Sequence, residues 1–510
     1  MLMEADTGAR PAAPPASFAA LLDRRPNLFL PVWIAVYFAA LWPFLRRPLW
    51  YDELFTYYVA TAPSWQRFLG GVLHVDLNPP LNALLVRASV FLFGDSPLTV
   101  RLPSFLGYLG ASLVLFYLVR RRMGGVLGLA SISILWSFSF SPYAAEARPY
   151  GVLLFFFSLA SWFWLNAAGR DRWTKSHAGL TASIVAMLMT HCFSPVFVAA
   201  VGAGELTRTI TTGRIDKRIW ASLLSPLILV VLYIPLIRNA QALDMPHSFE
   251  ANFATIPLFY MRVFLPILPA IGAILLLWLF AEKSRPSVPW RDLLRPHESA
   301  FCVASLLAPL AIIGYSLRSG VAFWDRYGIG AALGGSLLLT ALLAYCVRGN
   351  LNRAAAVSAI SLLVFCFTKA GASASLANFE GSSTSVRAVR PDLPFVAACG
   401  LTFLEMDHNE PLDFSPRLYY LTDKESAFGY AHATAFESFP TLKERWPIRA
   451  NVQAYREFVQ RHREFLVLAT YDCPLEWLLK KLHDDGATIQ LVQSGQTGYR
   501  DHDLFDVRFP

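Results

Sequence analysis

Charge is scarce in this chain. Of its 510 residues 16% are Asp, Glu, Lys or Arg, where a soluble domain carries about 25%, and 55% are hydrophobic. That composition excludes an ordinary soluble enzyme, and a mean hydropathy of +0.42 points to a multi-spanning membrane protein. The first 27 residues lack the apolar run and small-residue cleavage site of a secretory signal; they read as a cytoplasmic tail. There is no G-x-G-x-x-G or P-loop segment, which argues against a soluble nucleotide-binding domain. No fixed-period repeat or long low-complexity tract is visible. No His/Cys/Asp/Glu group has metal-ligand spacing, so neither metal nor other cofactor is expected. Of six cysteines, Cys192, Cys302, Cys346 and Cys366 sit in apolar runs as small buried hydrophobes. Cys399 and Cys473 lie in the C-terminal part, where an oxidising compartment would permit a disulfide without requiring one.

The charge that is present is uneven. Residues 1–380 hold 30 basic and 18 acidic side chains, residues 381–510 hold 14 and 18. The basic residues recur at the ends of apolar runs, the pattern of membrane topology rather than of nucleic-acid binding. Those runs fall at about 29–45, 79–93, 101–119, 124–141, 149–168, 177–206, 219–237, 257–281, 299–317, 327–347 and 354–371. The run 79–93 makes roughly 22 Å of helix against a hydrocarbon core of about 30 Å, and it carries Asn82 and Arg87; it reads as an interfacial helix. The run 177–206 is too long for one span, with His191, Ser194 and Pro195 at its middle, and reads as two short helices folded back. Eleven spans result, with the N-terminus inside and the C-terminus outside. After residue 119, sixteen Lys/Arg then fall on the N-terminal side and four (Arg148, Arg238, Arg318, Arg326) on the far side, as the positive-inside tendency requires. The domains are a tail (1–27), a transmembrane domain (28–371) whose first outer loop is 46–98, a Ser/Ala-rich linker (372–390) and an outer domain (391–510). In the last, strand-like runs at 394–398, 417–421, 465–470, 488–493 and 504–509 alternate with helices at 452–463 and 474–483, a small α/β domain.

Charged groups beside a membrane are costly, so those on the outer side need a reason. They are Asp52 and Glu53 in LWYDELFTYYVA, His74, Asp76 and Asn78 ahead of Pro79-Pro80, Arg101 in RLPS, Glu146, Arg148 and Tyr150 in YAAEARPY, His191, and Arg326 and Tyr327 in the later DRY. Each has a bland reading: an aromatic belt with water-facing acids, a local ion pair, a snorkelling arginine. All nevertheless fall on one face under a topology drawn from other residues. Acids there suit a general base acting on a hydroxyl, and arginines with a histidine suit an anionic phosphate leaving group.

The ordered set WYDE, NPPL, RLPS, YAAEARPY, Thr190-His191 and DRY resembles the GT-C membrane glycosyltransferases, in the branch of protein O-mannosyltransferases and bacterial aminoarabinose transferases (glycosyltransferase family 39-like). The likeness spans most of residues 29–345. It implies an α-helical polytopic fold with interfacial helices, about 11 transmembrane helices and a small periplasmic α/β domain. It also implies transfer of a sugar from a polyprenyl-phosphate donor to an envelope acceptor with inversion. Carried over, Asp52 is the catalytic base and Glu53 its motif partner. Glu146, Arg148 and Tyr150, in the turn beside the site, are expected to bind the donor phosphate or substrate together with Arg101, His191, Arg326 and Tyr327. His74, Asp76 and Asn78 remain first-loop candidates, since Asn78 stands where relatives carry His. The expected setting is the bacterial inner membrane, the expected partners are the lipid-linked sugar, membrane lipids and the acceptor, and the outer domain is expected to help choose the acceptor. A transporter or lipid flippase is the alternative reading, and an envelope scaffold a weaker third.

Overall fold

In the computed structural model, the described residues are 17–170, 172–241, 251–280, 288–377, 382–432, 434–471, 473, 475–496 and 501–510. Eight helices among them are long and apolar enough to cross a membrane: Pro26–Arg46, Pro97–Met123, Tyr150–Ala167, Lys217–Ala240, Thr255–Leu279, Pro296–Ser319, Gly330–Val347 and Leu351–Ser373. Three further expected segments are also helical. Gly125–Ser137 has 13 residues, all buried, as befits a helix apolar all round at the centre of a bundle. The run 177–206 is indeed two helices, Lys175–Leu188 and Ser194–Thr212, joined by a tight turn at His191.

Small residues bring two helices close at the site end of the bundle. A Cβ on Gly107 would lie 2.7 Å from Gly151 O, so only glycine allows this approach of Pro97–Met123 to Tyr150–Ala167. Just above it, Ser104 Oγ donates to Arg148 O, fixing the turn that carries Glu146 and Arg148. The short helix Leu81–Phe93 is tethered by Arg87 Nη1, which donates to Ala60 O and Ala62 O, both at 2.8 Å. It ends in exposed Phe91, Leu92 and Phe93, an apolar tip suited to the membrane boundary.

Two segments differ from the sequence reading. The expected tail is helical over Phe18–Arg24, and Asp23 Oδ1 accepts from Val126 N at 3.1 Å, so its end packs on the bundle; residues 1–16 lie outside the described residues. The expected linker is largely helix: the last long helix runs Leu351–Ala377 and another spans Ser382–Ala388, while 378–381 lie outside the described residues. Alanine, which gave that stretch its linker-like composition, is also the strongest helix former.

The C-terminal domain has six strands: β1 (Phe395–Ala397), β2 (Leu418–Thr422), β3 (Asn451–Ala454), β4 (Glu464–Thr470), β5 (Thr488–Gln496) and β6 (Asp501–Arg508). Their order is β3-β2-β1-β4-β6-β5; the first four are parallel and β6 runs antiparallel to β4 and β5. β3 occupies the start of the expected helix 452–463, which begins only at Tyr455. Cys399 and Cys473 are joined, tying the segments that follow β1 and β4. One face of the sheet shares its apolar core with Leu49, Leu54, Tyr58, Val86 and Ala147 of the membrane part, so the domain rests directly on the first outer loop.

Candidate active site

Trp50 caps the helix Tyr51–Ala60, whose first turn holds Asp52 and Glu53. Adjacent residues on a helix point in different directions, and the two acids meet different partners. Glu53 is fully buried. Arg101 Nε donates to its Oε1 at 2.7 Å and Arg101 Nη2 to its Oε2 at 2.6 Å, and Ala147 N donates to Oε1 at 2.8 Å. Burial raises the Glu53 pKa, but Arg101 and Arg47 outweigh it and hold the carboxyl below its ordinary value. Arg101 also donates to Leu45 O, Arg47 O and Pro48 O. Its five N–H groups thus have five acceptors, which leaves none for a phosphate: the expectation that Arg101 binds the donor fails on this saturation. Glu53 and Arg101 form the frame that locks the acidic helix to the Ala147 turn.

Asp52 faces the other way. Its Oδ2 lies 2.7 Å from Arg326 Nη1 and 4.0 Å from Arg148 Nε, and Arg148 Nη1 donates to Asp52 O at 3.0 Å. The Arg326 contact is an ion pair without hydrogen-bond direction, since Asp52 Oδ2 has no hydrogen-bond partner. Arg148 Nη1 also lies 3.8 Å from Asp76 Oδ1; Asp76 is carried on a π-helical turn, Val72–Asp76, and Asn78 Nδ2 donates to its backbone oxygen at 3.0 Å. Burial raises the Asp76 pKa against the pull of Arg148. The Arg326 guanidinium lies over Trp324 at 5.1 Å and Tyr150 at 6.0 Å. His191 packs its ring 5.5 Å from both Tyr150 and Tyr327.

Burial, followed by Arg148 and Arg326, pushes the His191 pKa down to about 3. His191 is therefore neutral near pH 7. It carries a neutral ring here, not the positive charge that a phosphate-neutralising role would need. Its Nδ1 accepts from Phe193 N at 3.1 Å, which assigns the ring proton to Nε2. Glu146 sits behind, with Oε1 3.8 Å from Arg47 Nη2; burial pushes its carboxyl up to about 7, with Arg47 opposing and Glu53 adding to the rise.

The fold thus gathers Asp52, Asp76, Asn78, Glu146, Arg148, Tyr150, His191, Arg326 and Tyr327 from five segments. His74 is not among them: it is exposed and its Nδ1 lies 3.2 Å from Asn239 Nδ2. The opposite sides of one π-helical turn separate it from Asp76. Sequence reasoning missed Arg47, although an Arg46-Arg47 pair at the end of the first span that the charge pattern assigns to the outside runs against the positive-inside tendency. It also missed Glu405 and Asn409 of the outer-domain helix Gly400–Asn409, for which no local signal exists. Glu405 Oε1 accepts from Tyr51 N at 2.9 Å and Asn409 Nδ2 donates to Leu49 O at 2.9 Å, gripping the start of the Asp52 helix, and Tyr58 stacks on Trp446 at 4.8 Å.

Five buried atoms of this cluster, Asp52 Oδ2, Glu146 Oε2, Arg47 Nε, Arg148 Nε and Arg326 Nε, have no hydrogen-bond partner. Buried polar groups are seldom left so. No three His, Cys, Asp or Glu among the described residues converge to hold a metal ion. Asp52 and Glu53 are each opposed by an arginine, a donor set that does not fit a divalent cation.

Comparison with known proteins agrees with this architecture. A family model described as dolichyl-phosphate-mannose-protein mannosyltransferase matches residues 77–237. No curated protein matches the chain. Among solved structures, ArnT from Cupriavidus metallidurans is similar in its apo state and in its complex with undecaprenyl phosphate. Each is 14% identical with a TM-score of 0.57, covering 94% of this chain and 97% of the other. The chain shares the overall fold of these structures, a multi-pass helical domain followed by a small sheet domain.

Proposed function

We propose that this GT-C-fold chain is an integral-membrane glycosyltransferase that moves a hexose or pentose from a polyprenyl-phosphate donor to an envelope acceptor at the outer face of the bacterial inner membrane, with its N-terminus cytoplasmic and its sheet domain periplasmic. The observation that carries this reading is the pairing of Asp52 with Arg326 and Arg148, at 2.7 and 4.0 Å, in a buried cluster whose arginines retain unpartnered N–H groups. ArnT, which shares the fold, binds undecaprenyl phosphate.

The chemistry follows from the geometry. A donor phosphate presented to Arg326 and Arg148 competes with Asp52 for their guanidinium groups, and the carboxylate is released to act as a base. The acceptor oxygen attacks the anomeric carbon from the side opposite the phosphate as its proton passes to Asp52. The bond from anomeric carbon to phosphate oxygen breaks, its electron pair leaves with the polyprenyl phosphate, and the arginines stabilise that charge. Attack from the opposite side inverts the anomeric configuration. Neutral His191 and the Tyr150 and Tyr327 rings shape the phosphate side, and Glu146 Oε2 accepts a substrate hydroxyl. Neither nucleotide nor metal enters this scheme. A transporter would place its polar groups near mid-membrane, whereas here they gather at one end of the bundle.

Binding of undecaprenyl phosphate to the purified protein tests the assignment. Arg326→Gln removes a charge-assisted contact worth about 1.5–3 kcal/mol, so affinity is expected to fall roughly 10- to 100-fold. An unchanged affinity would remove Arg326 from the donor site.

A further inference from the structure

The helix Pro97–Met123 begins beside the active site at Arg101 and ends about 32 Å away, at 1.5 Å per residue, in Arg121 and Arg122. At that far end lies a cavity of about 270 Å³ between the ends of Pro97–Met123, Tyr150–Ala167 and Pro296–Ser319. Arg121, Arg122, Arg295 and Glu298 stand among its lining, with Leu165, Trp164 and Phe301 forming apolar wall. Arg122 is paired with Glu298. Arg121 donates to Asn166 Oδ1 at 2.8 Å and lies over Trp162 at 5.4 Å, and among the described residues neither Arg121 nor Arg295 enters an ion pair with a carboxylate. Glu205, behind the wall, accepts from Trp164 Nε1 but is bound by both Nε and Nη2 of Arg208, so it does not neutralise the rim. Glu298 Oε2 also accepts from Arg295 N at 2.8 Å, but its side-chain ion pair is with Arg122; among the described residues the Arg121 and Arg295 guanidinium groups thus stand without a carboxylate ion-pair partner at the mouth of an apolar hollow.

We infer that this cavity is a binding site for an anionic phospholipid, with the headgroup phosphate on Arg121 and Arg295 and the first part of an acyl chain against Leu165 and Phe301. The volume is just below the 300–1,000 Å³ of pockets that enclose a whole small ligand, which suits a headgroup with the start of a chain. Basic pockets between helices at the cytoplasmic side hold anionic headgroups by this combination. The leaflet rests on the orientation proposed above; the lipid chemistry does not.

Native mass spectrometry of the full chain in detergent, with phosphatidylglycerol and phosphatidylcholine of identical acyl chains, tests the site. The wild type is expected to retain phosphatidylglycerol preferentially. An Arg121→Gln/Arg295→Gln variant is expected to lose about fivefold in phosphatidylglycerol affinity per arginine, with phosphatidylcholine occupancy and thermal stability unchanged as the check on folding. Equal retention of the two lipids by the wild type would overturn the inference, as would an unchanged preference in the variant. Displacement of phosphatidylglycerol by millimolar inorganic phosphate would show a free-anion site instead. None of these outcomes depends on glycosyl transfer, so the inference can fail while the enzymatic reading stands.

Discussion

Asp52, Arg148 and Arg326 were legible in the sequence because an ionisable group at a membrane face is expensive and requires a partner. The division of labour between Asp52 and Glu53 was not legible. Adjacency in sequence made them a pair, while helix geometry sent Glu53 to Arg101 and Asp52 to Arg326. His191 shows the same limit: its position was readable, but its charge is set by burial that only the fold supplies. Glu146 carries a testable consequence. Its folded pKa of about 7 lies above the ordinary 4.5, so between those values the folded chain binds more protons than the unfolded one, and stability falls as pH rises through that window. Above about pH 7 both states are ionised and the penalty is constant. Thermal unfolding at pH 5 and pH 8 should show the wild type losing stability relative to Glu146→Gln on going to the higher pH. Parallel behaviour of the two proteins would contradict the burial of this carboxyl.

Element boundaries were legible where a run was too long or too short for the bilayer. Length, together with His191, Ser194 and Pro195 at its middle, separated 177–206 into two helices, and length with Asn82 and Arg87 set Leu81–Phe93 apart from the spans. β3 was lost because Asn451–Ala454 has one β-branched residue and leads straight into a helix; its pairing with β2 decides its conformation. The grip of the helix Gly400–Asn409 on the Asp52 helix had no sequence signature, because it joins residues more than 350 positions apart. That contact bears on what the outer domain does. If Glu405 and Asn409 position the base, the Glu405→Gln/Asn409→Ala protein should lose tenfold or more in kcat with acceptor KM little changed, because a displacement of about 1 Å costs up to a hundredfold. A raised acceptor KM with intact kcat would assign the domain to acceptor choice, the role expected from its side of the membrane.

For the whole molecule, composition identified the class and the apolar runs the helices, and the six-stranded sheet emerged more completely than its short runs implied. The membrane bundle, the first loop and the sheet domain meet at one small polar cluster, and two of its five segments are held by named contacts from elsewhere: the Asp52 helix by Arg101 on Glu53 and by Glu405 and Asn409, the Arg148 turn by Ser104. Such mutual support is what a preorganised site requires. The central claim is that this cluster transfers sugar with Asp52 as the base, and the most direct measurement is release of labelled sugar to acceptor from the native polyprenyl-phosphate-sugar pool by purified wild type and Asp52→Asn. The account predicts a loss of about 10²- to 10⁴-fold in rate for the variant in a protein that still folds. Transfer at the wild-type rate would contradict it.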